Sequence, residues 1–184
     1  AQIARIEETG TIGITAFGQY GAVNGKSRYG LDFGSGLGLG VGLRYTASRH
    51  VLLGLNFENQ AYDPNDGGSE FKRMNVQNFL AEIYYFPDHT RDAAVYFVGG
   101  FGFYRPELHL GDETVLFPGE GLVLEGGMGA EFFIRESWGI DASVRAIGYF
   151  GSGIADQEVG EVTEDATWSV GVHAKVGLVI YILR

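Results

Sequence analysis

From Leu37 to Tyr45 the chain alternates without a break. Leu37, Leu39, Val41, Leu43 and Tyr45 interleave with Gly36, Gly38, Gly40, Gly42 and Arg44. A period of two is the repeat of a β-strand, whose successive side chains point to opposite faces. The alternation recurs in eight segments, at 10–22, 35–45, 50–60, 74–86, 93–104, 121–133, 137–150 and 166–183. Most run to eleven residues or more, against a soluble mean of ~5–6, and a strand that crosses a bilayer needs ~9–11. The chain is thereby restricted to an all-β fold of long strands.

One parity of each segment is apolar and the other polar or small. Val51, Leu53, Leu55 and Phe57 alternate with Leu52, Gly54, Asn56 and Glu58, and Ala166 to Ile182 repeats the pattern against Thr167, Ser169, Gly171, His173 and Lys175. The polar parity carries charge in mid-strand, at Arg44, Glu58, Glu82, Glu125, Glu131, Asp141, Arg145 and Lys175. Elsewhere it is often glycine, as at Gly100, Gly102, Gly127 and Gly129. In a soluble eight-stranded barrel of the lipocalin kind this parity would be the outside.

The connections favour the inverse arrangement. Those near 46–49, 87–92 and 134–136 are short, and those at 23–34, 61–73, 105–120 and 151–165 are long and polar. Short turns alternating with long loops, on an even strand count, describe a membrane barrel with both termini periplasmic. Aromatic residues form two girdles, with Tyr45, Phe86, Phe132 and Trp138 near the periplasmic rim and Phe57, Phe103, Phe150 and Trp168 near the outer rim. The expectation is a closed antiparallel eight-stranded up-and-down transmembrane β-barrel over 10–184, with 1–9 a short periplasmic segment.

Composition removes other classes. A chain of 184 residues holds one ordinary domain. With 13 Lys+Arg against 23 Asp+Glu it lacks the basic face a nucleic acid requires. No run reaches the ~18 apolar residues of a transmembrane helix, and the absence of cysteine removes disulfides and thiolate chemistry. The 30 glycines follow no period of three and accompany 14% aromatics, so neither collagen nor a linker fits.

On these features the whole chain resembles the small outer-membrane barrels of Gram-negative bacteria, of the outer-membrane protein A, X and W type. The C-terminal signal of such barrels reads polar, any, Gly, any, any, apolar, any, apolar, and Lys175, Gly177, Ile180 and Ile182 occupy those places. The family usually ends on an aromatic residue, whereas this chain ends Tyr181-Ile182-Leu183-Arg184. The resemblance implies outer-membrane lipid and lipopolysaccharide as surroundings and the barrel-assembly machinery as a partner in biogenesis. Other subunits of an outer-membrane complex are further candidate partners. A start of Ala1-Gln2 is what a mature chain looks like after signal cleavage.

Charges inside a barrel must pair, so the eight mid-strand charges are expected to form a plug of salt bridges with ordered water. A narrow solute path through the glycine-rich lumen is the competing reading. Barrels of this size that modify lipid A use a His with a Ser and a carboxylate near the outer rim. Here His50 and His89 fall at periplasmic turns and His173 lies mid-strand without a neighbouring Ser. His109 falls in the third loop near Glu107, Asp112 and Glu113, with no Ser between residues 70 and 136. No catalytic set results.

Asp63-Pro64-Asn65-Asp66-Gly67-Gly68 begins like a calcium loop but places Gly67 at position five and Met74 at position twelve, where a Glu belongs. Gly34–Gly42 lacks the third glycine and following helix of a nucleotide loop. No cofactor or metal set is expected. The last loop carries Asp156, Glu158, Glu161, Glu164 and Asp165, while Lys26, Arg28, Lys72, Arg73 and Arg105 near the same rim are placed to meet lipopolysaccharide phosphates. Gly99 and Gly126 interrupt apolar lipid-facing rows, as marks of a partner contact or of sheet curvature. The function expected is a structural, surface-display or assembly-anchoring one, without catalysis.

Overall fold

The computed structural model describes residues 9–24, 33–64, 71–89, 92–110, 114–116, 120–135, 137–151 and 167–182. The strands are β1 (Ile12–Asn24), β2 (Phe33–Ser48), β3 (Val51–Pro64), β4 (Phe71–His89), β5 (Ala93–Leu110), β6 (Thr114–Leu116), β7 (Gly121–Arg135), β8 (Trp138–Gly151) and β9 (Thr167–Ile182). Every pairing is antiparallel, β1 pairs with β9, β5 with β7, and the β4–β5 pair completes the ring. Eight strands make a closed up-and-down barrel, and β6 only adds to the end of β5.

The register fixes the barrel's stagger. From Tyr45 the partners run through Leu53, Ile83, Gly99, Gly126, Ala146, Val172 and Ala22, and return to β2 at Ser35. A circuit that starts at 45 and ends at 35 has slipped ten residues. With eight strands this shear gives a tilt of about 40° and a bore that side chains can fill.

Alternation decides which side each residue takes. Leu39 is 73% exposed on the outer surface and Glu58 is 0% exposed inside, so the barrel is apolar without and charged within. Outward partners Val41, Phe57, Phe79, Phe103, Leu122 and Phe150 form one row around the wall. Just past it on three strands come Asn59, Gln77 and Arg105, where the apolar belt ends. Trp168 continues the row in register, but its side chain lies outside the described set.

At the other rim Tyr45 and Phe132 face outward and Trp138 is half-buried. Phe86 corrects the expectation, because it is buried inside the barrel. It shares the even parity of Glu82 and Tyr84, so Tyr85 takes the lipid-facing place.

The stretch read as a loop at 105–120 is largely strand. Apolar alternation stops at Phe103, but the β4–β5 ladder continues with polar partners. Gln77 Nε2 donates to Glu107 Oε1 at 3.1 Å, and Asn75 Nδ2 to His109 Nε2 at 3.0 Å. His109 therefore sits on a strand. Residues 1–8, 25–32, 65–70 and 152–166 lie outside the described residues, and with them Lys26, Arg28, most of the calcium-like segment and the acidic loop; the side chains of Lys72 and His89 do too.

Interior glycines are places where a neighbour needs the room. Gly129 and Tyr96 are register partners, and a Cβ on Gly129 would strike the Tyr96 ring and the Ala142 carbonyl. Outside the barrel Gly99 has nothing within 4 Å of such a Cβ. Gly129→Val should therefore lower stability by about 1–3 kcal/mol, while Gly99→Ala should be close to neutral. The urea midpoint of each variant folded in detergent checks both.

Candidate functional site: the charged lumen

All eight mid-strand charges converge in the interior, in two linked layers. Near the end where β1 begins and β9 finishes, Arg44 from β2 reaches across to β7 and β8. Its Nη1 is 3.3 Å from Glu131 Oε2 and its Nη2 is 3.0 Å from Asp141 Oδ2. Tyr181 donates to Glu131 at 2.8 Å, and Tyr96 lies 2.9 Å from both Asp141 oxygens. The Arg44 guanidinium also stacks 4.4 Å from the centre of the Tyr84 ring, a cation–π contact.

In the middle layer Arg145 Nη1 pairs with Glu82 and Glu125, and Lys175 Nζ with Glu58 and Glu125. Glu125 is thus shared by both cations. The Tyr84 hydroxyl donates to Glu82 and accepts from Arg145 at 3.4 Å. Gly100 stands between Glu82 and Glu125 in register, and its missing side chain lets both carboxylates lean over it. On its other side the Lys175 ammonium is 5.3 Å from the Phe17 ring centre.

These pairs join β2, β3 and β4 to β7, β8 and β9 across the lumen. A buried pair gains little net free energy over apolar packing, but a partner left alone is strongly destabilising. Chemically, Glu58, Glu82 and Glu125 bring oxygens within 4.8 Å of one another, with Arg145 and Lys175 already among them.

Apolar clusters lie to either side of the charged layers. Leu52, Phe86, Tyr96 and Tyr181 pack at the turn end, and Tyr62, Leu80, Val123 and Tyr149 at the other. These aromatic residues were missed as site components, although Tyr84, Phe86 and Tyr181 share the parity of Glu82 and Lys175. Asn78 and His173 were overlooked as polar partners: Asn78 donates to Tyr149 at 3.3 Å, and His173 Nε2 is 2.8 Å from the Tyr62 hydroxyl.

The other residues singled out in the sequence lie apart from this site, except Lys175 and Gly177 of the C-terminal signal. His50 sits at a turn with Nδ1 2.9 Å from the Phe86 carbonyl, and His109 is on the outer surface beside Asn75. In the C-terminal signal Lys175 is buried in the lumen, Gly177 shares its parity against Phe17, and Ile180 and Ile182 face outward. Gly99 and Gly126 are register partners on the outer wall.

The model of the outer membrane protein beta-barrel domain matches residues 1–175 of the chain. Neisserial surface protein A, from Neisseria, superposes with a TM-score of 0.67 at 13% identity, over 92% of this chain and 96% of that one. OprG from Pseudomonas aeruginosa gives 0.60 at 14%, over 97% and 98%. Ail, the attachment invasion locus protein of Yersinia pestis, gives 0.57 at 14%, over 95% and 100%. At such identities the likeness is one of fold. No curated protein matches the chain.

Proposed function

Because the chain belongs to the outer membrane protein beta-barrel family, we propose that it is a non-enzymatic barrel whose rigid wall holds the segments at its loop end on the cell surface, with both termini periplasmic. The observation that carries this reading is the filled lumen. Cross-lumen ion pairs sit between two apolar layers, which suits a scaffold better than a conduit. Two of the similar structures bear names in the same direction, one a surface protein and the other an attachment protein.

The outer wall supplies the contact with the membrane. Arg105 lies on the outward parity two residues past the aromatic row and Arg73 six residues past it, a span in which lipopolysaccharide phosphates would meet them. The barrel-assembly machinery would read Lys175, Gly177, Ile180 and Ile182, and an outer-membrane complex would use the open wall at Gly99 and Gly126.

An epitope inserted between Gln157 and Glu158 tests the display reading. Antibody should label it on intact cells; labelling only after permeabilisation would overturn the orientation. Purified protein in planar bilayers should give no unitary current steps. Reproducible steps would replace the scaffold reading with a pore.

A further inference from the structure

Five carboxylates and three cations share the lumen, and each of the two layers holds one carboxylate more than it has cations. In the middle layer Glu58, Glu82 and Glu125 face only Arg145 and Lys175, which leaves one negative charge. Lys175 engages Oε1 of Glu58, while Oε2 of the same fully buried carboxylate has no hydrogen-bond partner.

The neighbouring inward positions also carry unpartnered amide oxygens. Gln60, the next inward residue on β3, uses Nε2 on the Gly36 carbonyl at 3.0 Å and leaves Oε1 unpartnered. Asn78, the register partner of Glu58, uses Nδ2 on Tyr149 and leaves Oδ1 unpartnered. Gln19, the register partner of Lys175 and only 3% exposed, has neither side-chain atom partnered. Gly38 separates Gln19 from Gln60 in register, so no side chain stands between the two amides.

Four unpartnered oxygens, one of them a carboxylate oxygen, thus lie at neighbouring inward positions of β1, β3 and β4, next to a residual charge of minus one and beneath the Tyr62–Tyr149 layer. Buried acceptors of this kind carry a substantial desolvation penalty if nothing answers them. Hard oxygen ligands select hard cations, and the local charge asks for one positive charge. We propose that this part of the lumen binds a single monovalent hard cation of the sodium class, through Glu58 Oε2 and the amide oxygens of Gln19, Gln60 and Asn78. The ion neutralises the middle layer and is enclosed when the barrel closes.

The test is refolding from urea into detergent micelles, in sodium, potassium, calcium or choline chloride at equal ionic strength. Sodium or potassium should raise the thermal midpoint above that in choline, saturably and by about 5 °C or more at a hundred-fold excess over Kd. Glu58→Gln should abolish the difference. Coincident midpoints in sodium, potassium and choline would overturn the proposal, leaving a proton or water to answer Glu58. A rise with calcium alone would overturn the monovalent assignment. If Glu58→Gln does not fold, crystals of the unaltered protein grown in thallium(I) decide: an anomalous peak bounded by Glu58, Gln60 and Asn78 supports the site, and none there refutes it.

Discussion

Replacing Arg145 with Met should lower the unfolding free energy by about 3–5 kcal/mol, the penalty for leaving buried charge unpaired. Arg145 is 2% exposed and is shared by Glu82 and Glu125, so its loss leaves both carboxylates and Glu58 to Lys175 alone. The damage comes from the abandoned acids more than from the missing contact. Adding Glu82→Gln to Arg145→Met should therefore restore at least half of the loss. Urea unfolding of the two variants in lipid vesicles measures the difference. A single variant within about 1 kcal/mol of the parent would place Arg145 near water, against the geometry.

The second large effect belongs to the outer wall. Val144 lies in the middle of β8, 55% exposed, with Met128 and Ala174 as its outward register partners. Val144→Lys brings an ammonium into the hydrocarbon near the bilayer midplane, at about 2–4 kcal/mol. Gln77→Lys is also outward but lies past the aromatic row, where the same charge should cost about 1 kcal/mol or less. Depth alone separates the two, since both sites face away from the lumen. Equal penalties in vesicle unfolding would move the membrane boundary from the Phe57–Phe79–Phe103 row.

The sides of the wall were legible in the sequence because parity is a one-dimensional signal. Leu37 to Tyr45 and Val170 to Ile182 state their outward faces without help from any distant residue, and Glu58, Glu82 and Glu125 announce the other face by their charge. What parity lacks is an origin at the strand ends. Phe86 looks like a girdle residue because it is aromatic near a rim, whereas counting from Glu82 puts it inside.

Strand ends were obscured for a related reason. Once β5 leaves the apolar belt, Arg105, Glu107 and His109 look like loop residues, and only their partners Asn75 and Gln77 on β4 show the ladder continuing. Partnership across the lumen was also invisible. That Arg44 answers Glu131 and Asp141 follows from a shear of ten residues, a property of the closed ring and of no single strand.

The apolar parity of the wall meets lipid, while the charged parity packs inside the barrel. A chain without cysteine allows a clean scan, with single cysteines placed one at a time on β9, spin-labelled and reconstituted in vesicles. Labels at Val170, Val172, Ala174, Val176 and Leu178 should collide readily with oxygen dissolved in the bilayer, and those at Ser169, Gly171 and Val179 should be protected, a strict period of two. Uniform accessibility along the strand, or the opposite phase, would contradict the account.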